Sequence, residues 1–199
     1  VHAVVDALPA HATAGAATIE VSAPAAADAR TLLLDALEQT PGAPRLRGLG
    51  AWQTVAVLVG AATPGRIAEA AARGRTYVRS GASEPRLDVR LGVANVGAFA
   101  GGVARSPLLG GMLEVRVEDV GAPSSLFRLA ILEDDGPDGR PARDVTPDYL
   151  RRALPAGRYR ARVRSTPAGR RWLVGAVAVD REGGARAHAW SSVVAAEVP

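Results

Sequence analysis

Residues 86–91 read Arg-Leu-Asp-Val-Arg-Leu and residues 113–118 read Leu-Glu-Val-Arg-Val-Glu. Charged and apolar side chains alternate strictly in both. A period of two is the pattern of a β-strand with one face on a core and the other in water. From residue 86 onward the chain keeps to this rule. Further strands are expected at Leu126 to Leu132, Arg158 to Ser165, Trp172 to Val179 and Ala187 to Val194, each bounded by glycine or proline. One short helix interrupts them at Thr146 to Leu154, where Thr146 offers a cap and Pro147 fits the first helical position.

Before residue 86 the period changes. Over residues 24–39, Ala29, Leu32, Leu33, Ala36 and Leu37 recur at helical spacing, and Arg30, Thr31, Asp35, Glu38 and Gln39 fall opposite. Thr40, Pro41 and Gly42 stop that helix. Strands are expected at Ala17 to Val21 and at Trp52 to Gly60, the second apolar enough to be covered on both faces. An alanine-rich helix over residues 64–79 starts after Thr63 with Pro64 in its first turn, and Glu69 stands four residues ahead of Arg73. The order strand, helix, strand, helix, then strands predicts an α+β fold, with an α/β-like N-terminal half packed on or linked to a mainly antiparallel sheet. The glycine-rich run Gly92 to Gly111 marks the expected joint between lobes at 1–105 and 106–199. One continuous domain is the alternative.

Composition narrows the chemistry. The chain has 199 residues, 48% of them hydrophobic, which supplies a core. No apolar run is long enough to span a membrane, and the N-terminal stretch lacks the basic and apolar regions of a secretion signal. A soluble, cytoplasmic protein is expected. With 0 cysteines, disulfides, thiolate metal sites and cysteine nucleophiles are excluded. All 24 basic residues are arginine, which removes Schiff-base lysine chemistry and the lysine of a phosphate-binding loop. The 41 alanines and the absence of lysine match coding pressure in a GC-rich bacterium. Val1 reads as a GTG start or the edge of a trimmed fragment.

The strongest functional signal is Arg158, Arg160, Arg162 and Arg164. On a strand these alternate residues share one face, about 6.6 to 6.8 Å apart, while Tyr159, Ala161 and Val163 face inward. Arg151, Arg152, Arg170 and Arg171 extend the patch if the neighbouring helix and hairpin lie close by. Residues 140–186 hold twelve arginines against four acids, and the rest of the chain has an acidic excess. Such a surface fits an acidic protein partner or self-association, with nucleic acid as the alternative. The single-strand version lacks stacking rings on the stripe, because Tyr159 points the other way. The bland reading is a solvated face whose arginines ladder with Glu114, Glu118 or Asp119.

Other signals are weaker. Gly60 to Ile67 has the glycine spacing of a phosphate-binding loop, but arginine stands where lysine is required and Ile67 where a magnesium-binding hydroxyl belongs. Gly97 to Gly102 misses the dinucleotide spacing. In the acidic turn Glu133 to Gly139, Asp134, Asp135 and Asp138 are weak calcium candidates without the spacing of an EF-hand. These three and Asp144 also serve a rival reading as a carboxylate-based hydrolase or transferase with a cleft between lobes. Ser191, His188 and Asp180 can be drawn as a triad, but no nucleophile elbow accompanies them. Of the other histidines, His2 and His11 fall in poorly patterned sequence. Trp52, Trp172 and Trp190 read as core anchors. No cofactor is expected, and the favoured function is a non-catalytic binding or assembly component.

Overall fold

The computed structural model describes residues 2–5, 18–21, 26–39, 45–48, 53–59, 69, 76–81, 85–93, 96–106, 110–119, 125–134, 141–164 and 169–199. Among them the architecture is mostly β, with sixteen strands and two helices. An α/β-like N-terminal half is not found. β1 (His2–Val5), β4 (Gln53–Val59) and β5 (Thr76–Gly81) enter one large sheet as antiparallel neighbours. The α/β-like piece is limited to β2 (Thr18–Val21) and β3 (Arg45–Gly48), a parallel pair bridged by α1 (Ala26–Gln39). A crossover of this length is what a parallel pair requires.

The helix expected over 64–79 ends differently from its pattern. Thr76–Gly81 is a strand, and residues 64–75 lie outside the described residues apart from Glu69. The reason is two-sided burial. Tyr77 and Val78 are adjacent, yet both are buried, Tyr77 in one core and Val78 in another. In a strand, neighbouring side chains point to opposite faces, so a sheet covered on both sides leaves no alternation to read.

The large sheet runs β1, β4, β5, β15 (Ala185–Ser191), β14 (Arg170–Val179), β10 (Leu126–Asp134) and β11 (Arg143–Asp144). A second sheet of four strands runs β13 (Gly157–Val163), β9 (Gly111–Asp119), β6 (Pro85–Val93) and β7 (Val96–Phe99). Leu87, Val89, Leu91, Leu113, Val115, Val117 and Ala161 face inward from the smaller sheet. They meet Phe127, Leu129, Ile131, Trp172, Val174 and Ala176 of the larger one. Each buried valine, leucine, isoleucine or phenylalanine among them contributes about 1.5 to 3 kcal/mol by leaving water.

On the far side of the large sheet, Leu33 and Leu37 of α1 pack with Leu132, Leu173, Trp190 and Val193. Three layers result, helix on sheet on sheet. Gly175 makes this second core possible, because a Cβ there would stand 2.5 Å from the Trp190 ring. The predicted strand Ala187 to Val194 divides in two. β16 (Val194–Glu197) follows β15 along the same edge of β14 and pairs in parallel with β8 (Val103–Arg105). The glycine-rich segment therefore holds β7 and β8, with Gly101 turning between them at φ 79. The predicted helix at Thr146 to Leu154 shortens to α2 (Asp148–Arg151). Leu154 and Pro155 pair instead with β10, as β12 (Leu154–Pro155).

Candidate functional site

The arginine segment is a strand, β13, at one edge of the four-stranded sheet. Ala161 and Val163 are buried and Tyr159 packs against the core, while Arg158, Arg160 and Arg162 of β13 and Arg164 just after it are exposed. Burial raises the Tyr159 phenol above its ordinary pKa. Its hydroxyl donates to the Pro155 carbonyl oxygen, and the Tyr149 hydroxyl of α2 donates to that of Arg160. The strand edge is thereby tied to the segment that leads into it.

Register extends the outward face across the sheet. Arg158 stands opposite Arg116, which stands opposite Asp88; Arg160 opposite Glu114, then Arg90, then Phe99; Arg162 opposite Met112, then Gly92, then Gly97. Arg86 and Glu118 form a further pair of positions. Three carboxylates therefore share this face with seven arginines, and each carboxylate takes one of them. Arg90 Nη2 reaches Asp88 at 3.1 Å, Arg160 Nε reaches Glu114 at 3.3 Å, and Arg116 pairs with Glu118. Among the described residues Arg86, Arg158, Arg162 and Arg164 have no carboxylate partner. Of the laddering expected for the stripe, Arg160 with Glu114 is found, whereas Glu118 pairs with Arg116 of its own strand. Asp119 takes no part, being buried and hydrogen-bonded by Ser125.

Beside the stripe lies an open groove of about 610 Å³. Its floor is apolar, from Gly92, Gly97, Met112 and Phe99, and Arg90, Arg160 and the Arg160-paired Glu114 also line it. The Arg90 guanidinium rests 4.7 Å from the centre of the Phe99 ring, a cation–π contact that covers one face of that ring. Sequence reasoning missed this groove. Arg86, Arg90 and Arg116 carry the same outward parity as the stripe and were legible in the alternation, but Phe99 reaches this face only through the β6–β7 register.

Several expected members of the patch lie elsewhere. Arg171 is buried on the helix side of the large sheet, where it pairs with Asp134 and donates to the Leu37 carbonyl at 2.7 Å. Arg170, its neighbour, faces the other way and binds Glu133 at 2.9 Å, which also accepts from Arg143 and from the Trp172 indole. Arg151 binds Asp144 at 3.0 Å. Adjacent residues of a strand take opposite faces, so Arg170 and Arg171 could not both extend one surface. Arg152 is exposed beyond α2.

Of the carboxylates proposed for metal or acid–base chemistry, Asp134 and Asp144 are similarly committed. Asp134 is buried against Arg171. Asp144 accepts from Arg30, Arg151 and Thr146. Asp135 and Asp138 lie outside the described residues, as do Trp52, His11 and the loop Gly60 to Ile67. No group of three or more metal-ligating side chains occurs among the described residues, and no helix there is long and apolar enough to cross a membrane.

Ser191 and His188 do not converge. Ser191 accepts a hydrogen bond from the Val174 backbone at 3.1 Å, and Asp180 caps the amides of Glu182 and Gly184 in the β14–β15 turn. His188 is buried, which lowers its pKa by desolvating the charged ring. Trp172 and Trp190 are both core residues, one on each side of the large sheet. Comparison with family models, with curated proteins and with solved structures finds no match to this chain.

Proposed function

We propose that this chain is a non-catalytic binding or assembly component that docks an acidic protein segment on the outward face of β13, β9, β6 and β7. The observation that carries this reading is the surplus of cation on that face. After three carboxylates are matched, four arginines are left over, beside a groove with an apolar floor. An acidic segment with one apolar residue complements both features. Its carboxylates form charge-assisted, forked hydrogen bonds with guanidinium groups, and its apolar side chain settles against Met112 and Phe99. The same face suits single-stranded nucleic acid less well, since Arg90 covers one side of Phe99, the ring that strand pairing brings beside the stripe.

Fluorescence anisotropy with two labelled probes tests the choice. One is a peptide of glutamate and aspartate around a single leucine, the other an oligo-dT of equal charge. The expected result is tighter binding of the peptide, weakening as salt rises from about 0.05 to 0.5 M because exposed charges are screened. Tighter binding of oligo-dT transfers the face to nucleic acid, and no binding of either probe at low salt overturns the reading. Concentration-dependent sedimentation of the chain alone identifies a second copy as the acidic partner.

A further inference from the structure

The opposite side of the molecule carries an independent feature. Beside α1, on the helix side of the large sheet, a groove of about 300 Å³ is rimmed by Arg30, Arg128 and Arg151 and floored by Val177, Val179 and Trp190. Asp144 also lines it, but its oxygens are fully engaged. Oδ2 accepts from Arg30 at 2.6 Å and from Arg151 at 3.3 Å, while Oδ1 accepts from Arg151 at 3.0 Å and from the Thr146 amide and hydroxyl at 2.8 and 2.5 Å. Arg151 Nε also lies 3.9 Å from Asp148 Oδ1, so these two guanidinium groups are balanced by two carboxylates. The surplus cation of the rim is Arg128, exposed and with no ion-pair partner among the described residues.

The floor is apolar where the rim is cationic. α1 covers the Leu132 and Leu173 end of this sheet face, whereas Val177 is only partly buried. Leu126, two residues from Arg128 on the same face of β10, is 38% exposed. An occupant must therefore bring both an anionic head and an apolar body. A bare anion gains nothing from the floor, and a neutral apolar molecule gains nothing from the rim.

We infer that this groove binds a small organic carboxylate, with its head between Arg128 and the Arg30–Arg151 pair and its apolar body along Val177 and Val179. Octanoate serves as the probe, with acetate and octan-1-ol as its head and body alone, each titrated into methyl-labelled chain and followed by NMR. Saturable shifts of the Val177 and Val179 methyls are expected with octanoate, and at least about tenfold weaker binding of either control, since a charge-assisted hydrogen bond is worth about one such factor or more. Arg128→Ala is expected to weaken octanoate by a similar factor while the Leu33 and Leu37 methyl signals stay in place. Arg128→Gln repeats the measurement if the alanine variant is poorly folded. Absence of shifts at Val177 and Val179 overturns the inference. So does equal binding of either control, or wild-type affinity in the Arg128 variants.

Discussion

His188 shows how one residue records its surroundings. It stands on β15 between β14 and β5, opposite Val177 and Ser80, and is buried. Desolvation favours the neutral ring, so the folded pKa falls below the ordinary value of 6.5. In the window between the folded and unfolded values the unfolded chain binds more protons, and stability falls as pH falls through that range. Urea midpoints measured from about pH 7.5 down to 5.5 are therefore expected to decline, the interval in which an unperturbed imidazole titrates. His188→Gln is expected to flatten that decline; an unchanged slope in the variant would place its origin in another group.

At the scale of elements, α1 is fixed to the sheet by two devices of different legibility. The apolar stripe that puts Leu33 and Leu37 on the core was readable, because spacing of three and four residues survives in sequence. The second device was not. Asp134 closes β10, Arg171 is the second residue of β14, and the arginine, paired with that carboxylate, donates to the carbonyl of Leu37 near the helix end. No local pattern announces a partnership between residues so far apart in the chain. Arg171→Met leaves the buried Asp134 carboxylate without its counter-charge and is expected to destabilise the fold by about 3 to 5 kcal/mol in urea denaturation. The double variant Asp134→Leu/Arg171→Met is expected to regain most of that loss. A single variant within about 1 kcal/mol of wild type would show that this pair does not hold the layers together.

Strands wet on one face were equally readable. β6, β9 and β13 alternate, and the outward arginines of β13 follow directly. β5 and the start of β14 contribute side chains to both cores, so Tyr77 and Val78, or Trp172 and Leu173, are buried side by side. Two-sided burial removes the period of two, and the alanines before Thr76 carry a helical pattern into what is a strand. The α/β-like reading of the N-terminal half failed for this reason. The site was half legible on the same grounds. Parity identifies which residues face outward, but only strand pairing brings Phe99 and Met112 beside Arg160 and sends Arg170 and Arg171 apart.

For the whole molecule, pairing runs across the middle of the sequence. β5 joins β15 and β6 joins β9, so residues before and after Val103 complete each other's sheets. Three layers leave two outer sheet faces with different chemistry. One is broad and arginine-rich beside a shallow apolar groove; the other is narrow, with three arginines around a valine floor. The central claim concerns the first. Charge reversal tests it most directly, using Arg158→Glu/Arg162→Glu, which changes two exposed side chains away from both cores. Affinity for the acidic, leucine-containing peptide is expected to fall at least about tenfold at low salt, because like charges replace complementary ones. Urea stability should shift by no more than about 0.5 kcal/mol, as for exposed substitutions generally. Undiminished peptide affinity in this folded variant would contradict the assignment of the β13 face as the docking surface.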